Sequence, residues 1–281
     1  MCENVYEQTI KMLMRAGVQS PRLEARLLIA HMLHIEPDEV CGQTDVSADV
    51  LVKLKQNIQK RVEGMPLDKI LGHKEFYKYD FIVSEDVLSP RPDTEILLES
   101  AINLITENNL KNVLELGIGS GCLLLSLLKE IPNIQGVGID ISSKALNIAK
   151  QNAHLLHVAD RCRLECQDWF DDNIEHTLGQ KFDLIISNPP YIKTNDILSL
   201  DIGVQKYDPL LALDGGTDGL RHYKRIAFLI PKLLRKGGYV ALEVGLGQSS
   251  DVQQIFETAG LKYKKTIHDL ADIDRTLIFE L

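Results

Sequence analysis

The chain has 281 residues, of which 44% are hydrophobic and 25% are charged, as in an ordinary globular protein. Its formal net charge of -9 argues against a general nucleic-acid-binding protein, which carries a basic excess. The five cysteines contain no Cys-x-x-Cys pair and suggest neither a disulfide framework nor a zinc site: Cys2, Cys41, Cys122, Cys162 and Cys166.

Reduced thiols and a cytoplasmic location fit this cysteine usage best. No apolar run approaches membrane-spanning length, and the N-terminus lacks the pattern of a signal peptide. We therefore expect no association with a membrane.

Residues 3 to about 70 show helical periodicity and predict a small helical domain over residues 1–71. Apolar residues from Val5 to Met14 recur at helical spacing, and Gly17 is placed to end that helix. Ser20-Pro21 predicts the start of a second helix, with Leu23, Leu27, Leu28 and His31 on one face. Ser47 predicts the start of a third. The nearly balanced charges favour a protein partner over a polyanion.

The pattern changes over residues 72–92, which we expect to form a β-hairpin and a linker. Residues 72–83 are rich in aromatic and β-branched residues, with a polar break near Asp80. Two prolines, Pro90 and Pro92, hold the linker extended. Asp93 or Thr94 is then placed to cap the helix that follows.

From Asn112 onward, strands alternate with helices, which predicts a mostly parallel sheet with helices on both faces. Strands are expected at 113–116, 135–140, 163–166, 182–187, 239–244, 261–267 and 275–280. The last two have no helix between them and predict an antiparallel edge. We assign residues 93–281 to this domain.

The strand Phe182–Ser187 ends in the tetrapeptide Asn188-Pro189-Pro190-Tyr191. Two prolines in a row cannot join a sheet ladder and hold the backbone extended. The carbonyls of Asn188 and Pro189 can therefore accept hydrogen bonds from a guest amine, and Tyr191 offers a flat face. We interpret the corner as a clamp for a planar NH2 group; out of context, a plain strand-ending turn is an equal alternative.

Three further segments follow strands of the same predicted sheet. The turn Gly117-Ile118-Gly119-Ser120-Gly121 lets the backbone approach a ligand. Asp140 ends the next strand and can accept both hydroxyls of a ribose. It could instead cap the following helix, although Ser142 is better placed for that role. Asp168 can accept an adenine amino group, and Trp169 can cover the ring or belong to the core. Because parallel strands end at one edge, all of these residues are expected to face one crevice.

These residues resemble the S-adenosylmethionine-dependent methyltransferases that act on planar amino groups. Further matches resemble the family that methylates the glutamine of peptide chain release factors, the PrmC or HemK family, over nearly the whole chain. They are Gly72-His73-x-x-Phe76, Pro90-Arg91-Pro92-Asp93-Thr94-Glu95, Asp208-Pro209-x-x-Ala212-Leu213-x-Gly215, Asp218-Gly219-Leu220, Glu243-x-Gly245-x-x-Gln248, and Asp269-Leu270 with Arg275.

The resemblance implies a Rossmann-like, seven-stranded α/β sheet with an antiparallel edge, plus the helical N-terminal domain. It implies that residues 117–121, Asp140, Asp168, Trp169 and Asn188 contact S-adenosyl-L-methionine, with S-adenosyl-L-homocysteine as product. Residues 188–191 would hold the substrate glutamine, with Asn188, Pro189 and Tyr191 catalytic. Residues 1–71 would dock the release factor around its Gly-Gly-Gln loop. We expect a monomer with no metal and no direct nucleic-acid contact.

Two positions depart from the family pattern: Asp208 replaces the usual glutamate, and Asp272 replaces the usual glycine in the loop before Arg275. The sequence leaves open the roles of His73 and Glu243, and whether Arg91 meets the substrate or pairs with Glu95. Residues 192–217 are long for a plain connection and could form a lid over the substrate.

Two other functions share some of these features. An adenine-N6 methyltransferase would use the same clamp, but it needs a basic surface for its nucleic acid. A non-catalytic nucleoside-binding module would need the glycine turn but not an intact clamp.

Overall fold

The structure is a computed structural model that describes residues 4–40 and 46–281. Cys2 and Cys41 lie outside these ranges, and so does what we predicted for them; Cys122, Cys162 and Cys166 are free thiols. The chain forms two compact units: residues 1–72 with 201–207, here called the helical unit, and residues 73–200 with 208–281, here called the sheet unit. The hairpin belongs to the sheet unit.

The helices and strands follow one another mostly through short connections. The helices are α1 (Val5–Arg15), α2 (Pro21–Leu33), α3 (Ala48–Val62), α4 (Leu67–Leu71), α5 (Thr94–Asn108), α6 (Cys122–Glu130), α7 (Ser143–Leu155), α8 (Ile174–Leu178), α9 (Ile202–Tyr207), α10 (Arg221–Leu233) and α11 (Ser249–Thr258). The strands are β1 (His73–Phe76), β2 (Tyr79–Ile82), β3 (Asn112–Leu116), β4 (Gln135–Asp140), β5 (Cys162–Cys166), β6 (Phe182–Ser187), β7 (Leu234–Glu243), β8 (Lys262–His268) and β9 (Asp274–Glu280). None of the helices within the described ranges has both the length and the apolar character needed to cross a bilayer.

The helical unit contains the three predicted helices together with α4 and α9. Ser47 caps α3 as predicted, since its hydroxyl accepts a hydrogen bond from the N–H of Val50. The predicted face of α2 is wrong at Leu23, which is 57% exposed. Leu28 is buried as predicted, but Ala25 and Ile29 accompany it, because these three residues share a helical face that packs with α1 and α3.

The sheet has the strand order β5-β4-β3-β6-β7-β9-β8. Strands β3 to β7 pair in parallel, while β9 is antiparallel to both of its neighbours, so the predicted antiparallel edge is confirmed. Strands β4 and β5 follow β3 toward one edge of the sheet, whereas β7, β9 and β8 lie on the other side, beyond β6. Ligands of open α/β sheets bind at such a point, beyond the carboxyl ends of the strands.

The central pair, β3 and β6, is tied together at both ends. At the carboxyl end, the hydroxyl of Ser187 donates to the carbonyl oxygen of Leu116 at 2.7 Å. At the other end, the carboxylate of Asp183 accepts the backbone N–H groups of Lys111 and Asn112 at 3.0 and 2.8 Å. The relative position of the two strand ends is therefore held by side chains as well as by the ladder.

Asn152, fully buried on α7, connects the hairpin to the glycine turn. Its side-chain oxygen accepts the N–H of Ile82 at 2.7 Å. Its amide nitrogen donates to the carbonyl oxygens of Ile82 and Ser120 at 3.0 and 2.8 Å. One side chain thus satisfies two half-buried backbone groups of Ile82 and the buried carbonyl group of Ser120.

We expect Asn152→Ala to destabilise the protein, because each buried backbone group left without a partner costs roughly 1–3 kcal/mol. The free energy of unfolding, measured by urea titration, should fall by at least that amount. Asn147→Ala, at an exposed position of the same helix, is the matched control and should change it little. Equal stability of the two variants would contradict the assigned role.

Candidate active site

A cavity of about 420 Å³ lies in the sheet unit at the carboxyl ends of β3, β4 and β6. This volume is within the range of small-molecule sites. Nine of the residues predicted from the sequence line it: Gly117, Ile118, Gly119, Ser120, Asp140, Asp168, Trp169, Asn188 and Pro190. Gly121, Pro189 and Tyr191 do not line it.

The glycine turn after β3 needs its glycines for different reasons. Gly117 has a positive φ of 78°, and a Cβ there would lie 3.1 Å from the ring of Trp169. Gly119 also has a positive φ, but a Cβ there would meet only open space. Gly121 faces Leu125 rather than the cavity, so its part is to begin α6. The backbone is thus exposed to a ligand at Gly117 and Gly119.

Asp140 faces the cavity and does not cap α7, because Ser142 is the cap and its hydroxyl accepts the N–H of Ala145. One carboxylate oxygen accepts the N–H of Ser142 and the other accepts the N–H of Gly119, each at 2.9 Å. Burial raises the pKa of Asp140 in spite of these two bonds. Each oxygen keeps a second lone pair, so the carboxylate can still accept two hydroxyl groups.

Trp169 belongs both to the core and to the cavity wall, and it is 8% exposed. His222 meets its ring edge-on, with the ring centres 5.5 Å apart. The Nε2 of His222 lies 3.1 Å from the carbonyl oxygen of Asp214 and so acts as a donor. Within the described residues, Trp169 Nε1 and His222 Nδ1 are buried without a partner. A donor and an acceptor therefore remain for a polar heterocycle.

Asn188 follows β6 and is held by two residues distant in sequence. Its amide nitrogen lies 3.2 Å from the hydroxyl of Thr94. That hydroxyl in turn donates to Oε2 of Glu243 at 2.7 Å. Thr94 and Glu243 are buried, whereas Asn188 is half-buried and lines the cavity.

Tyr191 is held from several sides behind the corner. Its hydroxyl donates to Oε1 of Glu243 at 3.3 Å, and its carbonyl oxygen accepts the side-chain amide of Gln248 at 3.0 Å. A Cβ at Gly215 would lie 2.8 Å from its Cα, and one at Gly245 would lie 2.9 Å from its ring. Burial raises the pKa of Tyr191, so the hydroxyl stays protonated as a donor.

Arg91, whose role the sequence left open, pairs with Asp208 at 2.8 Å. Glu95, the alternative partner, accepts the backbone N–H of Tyr77 instead. His73 lies 3.0 Å from Asp80 across the hairpin. These three contacts are therefore within the sheet unit.

Asp93 occupies the N-cap position of α5, as predicted, but neither its side chain nor that of Thr94 makes a capping hydrogen bond. Asp93 pairs with Arg275 at 2.9 Å instead, and Arg275 also bonds Asp269 at 2.8 Å. Asp272 adopts a φ of 60°, in the left-handed region that favours glycine. The loop still forms between β8 and β9, because Asp269 accepts the N–H groups of Ala271 and Ile273.

Sequence reasoning missed Thr94 and Glu115 as site residues and left Glu243 open. Glu115 lines the cavity, accepts the N–H of Leu124 at 3.0 Å, and has its pKa raised well above the ordinary range by burial. Glu115 lies in the otherwise apolar run 113–116 of β3, and Glu243 directly follows the apolar run 239–242 of β7. A lone acid in such a run is the signal that could have found both.

The cavity mouth carries two exposed leucines from the long segment after the corner. Leu210 and Leu211 are 60% and 68% exposed and line the opening. The segment is anchored by a pair of hydrogen bonds, from Ile192 N–H to Leu213 and from Gly215 N–H to Ile192. Its function as a lid stays a prediction.

Comparisons with known proteins find relatives for both parts of the chain. A model described as a methyltransferase domain matches residues 107–253, and a PrmC N-terminal domain model matches residues 4–72. A release factor glutamine methyltransferase of Rhodospirillum rubrum is 40% identical over 265 residues, covering 94% of this chain and 80% of that protein. One of Agrobacterium fabrum is 37% identical over 275 residues, covering 96% and 93%.

Among solved structures, the hMettl16 catalytic domain in complex with an RNA hairpin has a TM-score of 0.56 at 14% identity. The match covers 90% of this chain and 92% of that chain, and at this identity it bears on the fold alone. Within the described ranges, no three His, Cys, Asp or Glu side chains are grouped to hold a metal ion.

We expect Glu115→Gln to change the pH dependence of stability. Because burial raises the pKa of Glu115, the folded state binds its proton more tightly than the unfolded state. This contribution to stability is complete below the ordinary glutamate pKa and is lost as pH rises. We would measure the free energy of unfolding of wild type and variant in urea between pH 5 and 8. The value for the variant should increase relative to that of wild type as pH rises.

Glu99→Gln, at an exposed position of α5, is the control for that comparison. A stability difference between wild type and Glu115→Gln that stays constant over the pH range would show that Glu115 titrates normally.

Proposed function

The chain belongs to the family of release factor glutamine methyltransferases, and from this premise we propose that it methylates the side-chain amide nitrogen of a glutamine in a peptide chain release factor. The methyl donor we propose is S-adenosyl-L-methionine, which supplies an electrophilic methyl group on a positively charged sulfur. The observation that carries the proposal is the shared cavity: Asn188 lines it together with the glycine turn and Asp140.

The donor set of the cavity suits a nucleoside carrying an amino-acid tail. Gly117 and Gly119 offer exposed backbone, and Asp140 offers a carboxylate for the ribose hydroxyls. The unpaired Nε1 of Trp169 and Nδ1 of His222 match a heterocycle that both accepts and donates hydrogen bonds. These residues are the ones we assign to the methyl donor, with Ile118, Ser120 and Asp168 beside them.

The substrate clamp consists of two oxygen acceptors. A carboxamide nitrogen is a poor nucleophile because its lone pair is delocalised into the carbonyl group. In the proposed complex, the two N–H groups of the substrate amide donate hydrogen bonds to the side-chain oxygen of Asn188 and the carbonyl oxygen of Pro189. They orient the nitrogen and stabilise the positive charge that develops on it. Tyr191 packs against the amide plane.

Orientation is the main contribution of the protein to this reaction. Holding two reactants in line can lower the barrier by about 7–11 kcal/mol. The double proline keeps the corner rigid, and Tyr191 is bonded through both its hydroxyl and its carbonyl group. No strong base and no covalent enzyme intermediate are needed.

The partner follows from the family. We propose that the helical N-terminal region, residues 1–71 in the sequence assignment, docks the release factor. The glutamine then enters past Leu210 and Leu211 at the cavity mouth. Release factors act in translation, so a cytoplasmic location goes with this substrate. We also propose that the enzyme works as a monomer.

The proposed function is tested by isotope transfer from labelled S-adenosyl-L-methionine to three acceptors. We expect label in an intact release factor and none in a variant whose Gly-Gly-Gln glutamine is replaced by alanine. DNA is the third acceptor and should stay unlabelled. Label in the DNA alone would contradict the proposal and favour adenine methylation.

We expect Asn188→Ala to lower kcat by about 10²–10³-fold, since a preorganised hydrogen-bonding group at the reacting atoms is worth that much. Affinity for S-adenosyl-L-homocysteine, measured by calorimetry, should change little. Asn195→Ala, at an exposed position just beyond the corner, is the control. Full turnover of Asn188→Ala would refute the clamp.

Asp140→Ala should have the opposite profile and mainly weaken cofactor binding. Hydrogen bonds to a charged acceptor contribute about 1.5–3 kcal/mol each, so the Kd for S-adenosyl-L-homocysteine should rise at least tenfold. Calorimetry against Asp160→Ala, an exposed acid beyond α7, checks this. An unchanged Kd would mean that Asp140 only holds the glycine turn.

A further inference from the structure

The clamp works only if the side-chain amide of Asn188 is turned the right way round. Its oxygen and nitrogen ends have nearly the same shape, but only the oxygen can accept an N–H bond from a substrate amide. Rotation by half a turn about the last side-chain bond would present an NH2 group to the substrate NH2 group. The protein must therefore select one of two similar orientations.

Thr94 provides that selection through a single proton. Its hydroxyl has one hydrogen, which it donates to Oε2 of Glu243 at 2.7 Å. Only lone pairs then remain on the side that faces Asn188, at 3.2 Å. Because lone pairs attract N–H and repel a carbonyl oxygen, the nitrogen of Asn188 turns toward Thr94 and its oxygen turns away.

Glu243 fixes the orientation of the Thr94 hydroxyl only while it is ionised, because both of its oxygens then act as acceptors. Its second oxygen accepts the hydroxyl of Tyr191 at 3.3 Å. If Glu243 gained a proton on Oε2, it could donate to Thr94 instead. The Thr94 hydroxyl would then be free to donate to the oxygen of Asn188, and the reversed amide would be stabilised.

We propose that Thr94 and the ionised Glu243 act as positioning residues, which orient the oxygen of Asn188 toward the substrate amide. The inference rests on the proposed function for its substrate, but the hydrogen-bond directions rest on this chain alone. Neither residue touches the reacting atoms; both act through Asn188.

The two hydrogen bonds that link Glu243 to Thr94 and Thr94 to Asn188, here called the relay, make turnover depend on pH. Burial raises the pKa of Glu243 to about 7, with hydrogen bonds from Thr94 and Tyr191 opposing the shift. The other titratable or charged groups that interact with it come from every side: Asp93, Cys122, Tyr191, Tyr223 and Arg275. Since the ionised form orients the amide correctly, kcat should rise with pH through about 7.

The test uses near-isosteric variants of the full-length enzyme with release factor as substrate. Thr94→Val and Glu243→Gln should each lower kcat about 10- to 100-fold, the size expected for a misplaced reacting group. KM and the Kd for S-adenosyl-L-homocysteine should change less than threefold. Thr94→Ser, which keeps the hydroxyl, should recover most of the loss, and the pH rise near 7 should vanish in Glu243→Gln. Thr106→Val, at an exposed position of α5, is the control.

A readout without turnover keeps the inference independent of the substrate. The side-chain NH2 resonances of Asn188, followed by NMR, should titrate near pH 7 in wild type but not in Glu243→Gln. Wild-type kcat in Thr94→Val, or a Thr94→Ser no better than Thr94→Val, would overturn the relay. If the Asn188 NH2 resonances of wild type titrate near pH 7 but the enzyme methylates no release factor, the proposed function is wrong and the relay is still supported.

Discussion

Strands β3 and β6 lie side by side and parallel, so the backbone leaves both at the same edge of the sheet. The glycine turn follows one strand and the Asn188 corner follows the other. Ser187 fastens the two strand ends with a hydrogen bond to Leu116. Any shift of β6 along β3 would separate Asn188 from the glycine turn. One strand pairing thus brings together the sites that we propose for the methyl donor and the methyl acceptor.

Around this pairing, the family motifs serve the corner more than the cavity. Gly215 and Gly245 leave room for Tyr191, and Gln248 bonds its carbonyl oxygen. Thr94, at the start of α5, bonds Asn188, and Glu243, at the end of β7, bonds Thr94. A buried carboxyl group weakens the fold when it ionises, and at Glu243 two hydroxyl donors offset part of that cost. Proteins tolerate such a local cost mainly at functional sites.

The sequence predicted the elements far better than their partners. Strands β4 and β6 were predicted with the bounds that the structure has, because each carries β-branched apolar residues and ends in a polar residue, Asp140 or Ser187. The contacts of Arg91 with Asp208 and of Thr94 with Glu243 join residues 117 and 149 positions apart. Local patterns carry no information on such pairs. The local sequence around Thr94 indicated only a possible helix cap. In the structure, the hydroxyl of Thr94 donates to the buried carboxyl group of Glu243 instead.

The central claim is that Asn188 presents its side-chain oxygen beside the sulfur of the bound nucleoside. A neutron crystal structure with S-adenosyl-L-homocysteine measures this most directly, because it distinguishes the two ends of the amide. The account predicts the product sulfur next to Asn188, the amide hydrogens on Thr94, and the oxygen facing the cavity. A nucleoside bound away from Asn188, or an Asn188 oxygen turned to Thr94, would contradict it.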